Sequence, residues 1–188
     1  MAMSFEEMKA LPKEKQKALF DRLHAIRHQG KTTNYSSQYG VGKAKLAREL
    51  KTTEQDAKKL LDAYWEVNWA IKESALQQVV KRVKGQDWIY NPISKFWYSL
   101  RNEKDRWSTL VQGSGVYCFD LWIKEIRKKR PQLTAQFHDE CVLEVKLGNR
   151  EECKRLLKTS MKAVNERLKL NVELDCDIQF GENYASVH

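Results

Sequence analysis

No apolar run in this 188-residue chain approaches the length of a membrane span, and its lysine-rich beginning lacks the apolar stretch of a secretory signal. A soluble cytoplasmic protein with no membrane partner is expected. Cysteine is sparse and scattered: Cys118, Cys141, Cys153 and Cys176 form no C-x-x-C pair. That pattern argues against a zinc site and against a disulfide framework, and points to reduced thiols. Internal repeats and low-complexity stretches are absent. Acidic residues are the minority, 25 against 34 basic ones, giving a formal charge of +9. The balance favours a polyanionic partner, nucleic acid first, with a merely solvated basic surface as the alternative. A disordered tail is excluded by 41% hydrophobic content, which suffices for one large domain or two small lobes.

Helical signals dominate the first half. Pro12 opens a helix with Leu19, Leu23 and Ile26 on one side, and Gly30 weakens it without ending it. Residues 31–39 are rich in Thr, Asn and Ser, so a helix there has to be held by tertiary contacts or a ligand. Thr53 and Asp56 form a capping-box pattern ahead of one long helix running through Leu60, Trp65, Ile71, Leu76 and Val80 to a stop at Gly85. Trp88–Tyr90 and Phe96–Tyr98 flank a turn-rich Asn-Pro-Ile-Ser and read as a hairpin. A helix from about Arg106 to Lys129 stops before Pro131. A hairpin over Thr134–Val145, a helix from about Arg150 to Lys169 and a final strand with Leu174, Cys176, Ile178 and Phe180 facing inward complete the chain. This order predicts an α+β fold, a helical N-terminal lobe with a small antiparallel sheet.

Two constellations carry chemistry. His138, Asp139 and Glu140 put adjacent carboxylates at a hairpin tip, where mutual repulsion calls for cationic compensation such as a pair of magnesium ions. A plain solvated turn is the alternative. Arg27, Lys31, Tyr35 and Tyr39 are spaced by four, and on a helix each such step drifts only about 40°, so the four share one stripe. Two cations followed by two aromatics suit a nucleotide, phosphates on the cations and a sugar or base on a ring. The same spacing also fits an amphipathic face with two core tyrosines and two solvated cations. Gly40 and Gly42 either allow close backbone approach or end the helix.

Other features read as structural. Trp65, Trp69, Trp88, Trp97, Trp107 and Trp122 could serve as base-stacking platforms, yet most fall on apolar faces and are expected to pack in the core. His24 and His28 are four apart on a helix but have no third ligand nearby. Lys128, Lys129 and Arg130 end a helix and favour its dipole.

The string Arg27, Lys31, Asn34, Tyr35, Tyr39, Gly40, followed far downstream by His138-Asp139-Glu140, closely resembles the fingers helix and second catalytic carboxylate motif of family A DNA polymerases, of the DNA polymerase I-like, phage type. Gly181, Glu182, Asn183, Tyr184 and the terminal His188 are similar to that family's ending, and Gln112 falls where the family has a glutamine that touches the DNA minor groove. The resemblance spans nearly the whole chain. Single-subunit RNA polymerases share part of the pattern, but Tyr35 and Glu140 favour the DNA enzyme. The resemblance implies a right-hand architecture, fingers over residues 1–84 and the C-terminal part of the palm over 85–188, lacking the thumb and the first catalytic strand.

Roles follow from the resemblance. Arg27 and Lys31 are expected to grip the phosphates of the incoming dNTP, with Lys31 placed to protonate the departing pyrophosphate. Tyr35 is expected against the sugar and Tyr39 near the template base. Asp139 is the expected magnesium ligand, supported by Glu140, with His138 near the primer terminus and Gln112 on the primer–template DNA. One element of the family pattern is missing: nothing before Arg27 resembles the Asp-Tyr-Ser-Gln-like strand that carries the other catalytic Asp. Ser108 also stands where many members have Asn. The expectation is a chain active only with an N-terminal polymerase fragment carrying the thumb and that Asp, either a naturally split enzyme or an excised piece, and Met1-Ala2-Met3 fits both. If phage-encoded, it would work in the bacterial host cytoplasm. The competing reading is a non-catalytic DNA-binding module derived from the same fold.

Overall fold

The computed structural model describes residues 9–129 and 131–187, so Met1-Ala2-Met3, Arg130 and the terminal His188 lie outside the described residues. The chain divides into two compact units, Met1–Val79 with Leu100–Ser108, and Val80–Ser99 with Thr109–His188.

The first unit is helical. Helix α1 (Lys13–Gln38) starts directly after Pro12 and runs through Gly30. Its weak last turns are held by tertiary contacts: Ser37 is buried, and Ser36 Oγ donates to Glu49 Oε2 at 2.9 Å. Helix α2 (Lys43–Leu50) and helix α3 (Glu54–Val67) enclose a small core of Leu46, Ala47 and Ala57, with Val41, Leu50 and Leu61 packed on it. By contrast, Phe20, Leu23 and Ile26 on the earlier turns of α1 are exposed. Thr53 caps α3, its Oγ1 accepting from Asp56 N–H at 3.1 Å, and its hydroxyl also holds the Asp56 carboxyl below its ordinary pKa.

The expected single helix to Gly85 does not form. Helix α3 stops at Val67, and the Tyr64 carbonyl there accepts from both the Asn68 backbone amide at 3.0 Å and the Asn68 side chain at 2.8 Å. A short α4 (Trp69–Leu76) follows, and Val80 is in strand β1 (Val80–Val83) rather than a helix. Lys84 and Gly85, both at positive φ, form the two-residue turn into β2 (Gln86–Tyr90), so Gly85 closes a hairpin instead of ending a helix. The β-branched valines prefer that pleated surface, and local periodicity could not reveal the pairing.

In the second unit β1, β2 and β3 (Trp97–Leu100) make an antiparallel sheet in that order, so the expected hairpin around Asn-Pro-Ile-Ser has a third strand. Asn91, fully buried, fastens its turn to helix α5 (Arg106–Arg127). Its Oδ1 accepts from the amides of Ile93 (2.9 Å) and Ser94 (3.1 Å), and its Nδ2 donates to Leu110 O (2.9 Å) and Ser114 Oγ (3.0 Å). The Tyr98 ring also seats on α5, where a Cβ at Gly113 would lie 2.7 Å from it.

The main core packs Leu121, Trp122, Ile123 and Ile126 of α5 on Cys153, Leu157 and Val164 of helix α6 (Arg150–Leu168). Leu133, Cys141, Leu143 and Val145 cover it from the hairpin of β4 (Gln132–Phe137) and β5 (Glu140–Glu144). The expected final strand is the second correction. Leu174, Cys176 and Ile178 do alternate inward onto this core, but the described residues of the segment belong to no strand. Asn165 of α6 takes the Leu174 amide (2.9 Å) and carbonyl (2.7 Å) with its side chain, so the backbone is tied to a helix in place of a ladder. Phe180 is exposed and lies 5.6 Å from the Arg150 guanidinium. The core assignment of the tryptophans holds for Trp122, whose Nε1 donates to Leu157 O at 3.1 Å, but not for Trp69 or Trp97. Trp69 falls at the helix break, and Trp97 on the sheet face turned away from α5. Among the described residues no helix is long and apolar enough to cross a membrane.

Candidate functional site

Arg27, Lys31, Tyr35 and Tyr39 occupy one stripe of α1, as their spacing requires. All four are exposed, with Tyr35 at 52% and Tyr39 at 45%, so the tyrosines are not core residues. The Lys31 ammonium lies 5.7 Å from the Tyr35 ring centroid, a cation–aromatic contact between successive turns of the stripe. The helix ends because Tyr39 caps it and Gly40 turns left-handed at φ 67°, after which Gly42 caps α2. This bend, with Tyr35, Ser36, Tyr39 and Val41, lines a cavity of about 420 Å³. Lys45 and Lys104 line it as well, and neither was singled out by sequence. Lys45 follows closely on Gly42, whereas Lys104 is brought in from a distant segment with no motif around it.

In the second unit β4 and β5 pair through Phe137 and Glu140, leaving His138 and Asp139 alone in the loop. Both are exposed and Glu140 is half-buried. His138 sits at φ 45°, a left-handed conformation uncommon outside glycine, held by the paired strands on either side. The C-terminal turn lies against this hairpin: the Tyr184 ring is 6.1 Å from that of Phe137. Asn183 caps the turn, its Oδ1 accepting from Ser186 N–H at 3.1 Å. A Cβ at Gly181 would collide with Ser186 Oγ and come within 2.8 Å of Val187 Cγ1, so a larger residue there needs those side chains to move. Gln112 is exposed on α5, and Ser108 Oγ donates to the Asp105 carbonyl at 3.0 Å.

Asp139 and Glu140 supply two carboxylates, and no group of three potential metal ligands exists among the described residues, His24 and His28 included. Two adjacent carboxyls leave most of an octahedral magnesium shell to be filled from elsewhere, so these residues do not make a metal site by themselves. The four thiols are free, and burial pushes Cys141, on the strand after Glu140, up to about 11. It is a packed, protonated side chain rather than a nucleophile.

Residues 13–186 match DNA polymerase family A. The chain belongs to that family. It is 24% identical over 179 residues to DNA polymerase I of Borreliella burgdorferi, covering 87% of this chain and 19% of that protein. With DNA polymerase I of Geobacillus stearothermophilus it shares 25% over 177 residues, 85% of this chain and 20% of the relative. The chain thus spans about a fifth of the length of these curated relatives. Its fold is similar to the POL domain of Pol1 from M. smegmatis, solved with DNA primer-template and dNTP, at a TM-score of 0.59 and 18% identity, over 83% of this chain and 28% of that one. In this family A chain the cationic and aromatic stripe belongs to the first unit, and the carboxylate hairpin, Gln112 and the C-terminal turn to the second.

Proposed function

We propose that the chain is the C-terminal fingers and palm portion of a DNA-directed DNA polymerase, fingers over 1–84 and palm over 85–188. The observation that carries this is the stripe of α1: Arg27, Lys31, Tyr35 and Tyr39 are all presented to solvent, and the two tyrosines line the cavity at its end, in a chain of family A. Arg27 and Lys31 bind the triphosphate of the incoming dNTP by charge-assisted hydrogen bonds. Tyr35 packs against the sugar and Tyr39 against the template base. The primer 3′-hydroxyl gives up its proton to solvent as it attacks the α-phosphorus in line, the bond to the bridging oxygen breaks, and Lys31 gives a proton to the leaving pyrophosphate. His138 and Gln112 contact the primer–template. Asp139, backed by Glu140, is this chain's contribution to a magnesium site whose other ligands come from an N-terminal fragment carrying the thumb and a second Asp.

Primer extension in magnesium tests this, with the chain alone and mixed with a candidate N-terminal fragment, and Asp139→Ala as control. Extension only in the mixture, abolished by Asp139→Ala, supports the proposal. DNA binding without extension in any mixture favours the second reading, a non-catalytic DNA-binding module.

A further inference from the structure

Helix α1 leaves an apolar stripe open over its first half. At about 100° per residue, Leu19, Leu23 and Ile26 share one face, with Phe20 at its edge. Leu23 is 43% exposed, Ile26 55% and Phe20 53%. The same stripe continues through Gly30 and Thr33 to Ser37, and there it is covered: Ser37 is buried where α1 packs on α2 and α3. A helix-packing surface that begins inside the unit thus runs on uncovered for two further turns. Charge follows the stripe. Lys15 and Arg22 fall along one edge and Lys13 along the other, whereas Glu14 and Asp21, the two carboxylates of the helix, fall on the opposite face. None of these residues has a part in the proposed catalysis.

We propose that this stripe docks an acidic amphipathic helix of another polypeptide. The apolar ridge of that helix packs on Leu19, Leu23 and Ile26, and its flanking carboxylates meet Lys15 and Arg22 on one side and Lys13 on the other. Two features select this occupant. The covered end of the stripe is already packed helix on helix, so a further helix extends the same ridge-and-groove contact. The edges are cationic on both sides with the acids turned away, which complements a ridge bordered by Glu and Asp. A second copy of α1 would bring the same cations against these ones, and like charges facing each other oppose that pairing. An anionic lipid surface suits the charge but calls for a broad apolar face with aromatic anchors, and here Phe20 alone borders a narrow stripe.

The test is fluorescence anisotropy of the full chain with two labelled synthetic helical peptides of equal length. Both carry the same leucine ridge, one bordered by glutamates and the other by lysines. The glutamate peptide should bind saturably and more weakly as salt rises, and the lysine peptide should bind at least about tenfold less tightly. Leu23→Ala and Ile26→Ala should each weaken the glutamate peptide about tenfold, the size of one lost aliphatic contact. Both side chains are exposed, so the variants should melt as the wild type does and a loss of binding cannot be a loss of fold. Arg22→Glu combined with Lys15→Glu should turn the preference toward the lysine peptide, and Asp21→Ala, on the far face, should change nothing. Equal affinity for the two peptides, or binding that survives Leu23→Ala, would overturn the proposal. So would self-association of the chain in sedimentation that Leu23→Ala abolishes, or binding to phosphatidylserine vesicles that the same change abolishes, since the stripe would then belong to a second copy or to a lipid surface.

Discussion

The ring of Tyr184 rests 6.1 Å from that of Phe137, tilted 49° to it, and so binds the C-terminal turn to the last residue of β4, just before His138. Each ring remains about half exposed. Tyr184→Ala should lower stability by about 1 kcal/mol, the usual worth of an aromatic pair. Hydrogen exchange should quicken at the amides of Asp139 and Glu140, and unchanged protection there would show that the turn does not brace the loop.

Gly113 is where α5 and Tyr98 come closest. Gly113→Ala places a methyl 2.7 Å from the phenol ring and should destabilise the chain by about 1–3 kcal/mol, although alanine is the better helix former. In a Tyr98→Ala background the same change should be neutral or stabilising. A double-mutant cycle read by urea denaturation checks this, and additive effects would mean that the ring is not the obstacle.

Asn91 satisfies two amides, a carbonyl and a hydroxyl from one buried side chain. Removing it with Asn91→Ala strands buried backbone groups and should cost about 2–4 kcal/mol. Calorimetry should show a melting temperature several degrees lower, whereas an exposed control such as Asn34→Ala should stay close to the wild type.

Alkaline pH gives a further check. Cys141 is raised by burial from 9.0 to about 11, so the folded chain keeps a proton that the unfolded chain gives up. Its contribution to stability is fully present below about pH 9 and lost as pH rises towards 11. Cys141→Ser should flatten that part of the stability curve, measured by urea denaturation across the range. At the acid end, the Lys158 ammonium holds exposed Asp175 below 3.8, so the part contributed by that ion pair is present above that value and fades as pH falls. The effect should be small, because both groups are bathed in solvent.

Much of the fold could be read locally. Pro12, Thr53 and Pro131 mark element ends, the helices over residues 106–127 and 150–168 carry clear periodicity, and the His138-Asp139 turn lies between alternating runs. The fold departs from the local pattern where a side chain or a partner strand overrides it. Asn165 takes backbone groups that a sheet would otherwise use, and Val80 pairs with Ile89 through a turn the periodicity conceals. Lys104 reaches the cavity beside Tyr39 only because the chain returns there long after α1, and no spacing rule encodes that return.

Residue order alone carries the chemistry: the fourfold spacing of Arg27, Lys31, Tyr35 and Tyr39, the adjacent carboxylates at 139 and 140, and membership of family A. These depend on residue type and helical or hairpin geometry, which are local. That Tyr35 and Tyr39 face solvent rather than a core, that Phe137 meets Tyr184, and that Trp97 lies outward on a three-stranded sheet depends on long-range packing. Burial is settled by which distant segments arrive to cover a side chain, and an aromatic residue has the same local signature whether it is covered or left open.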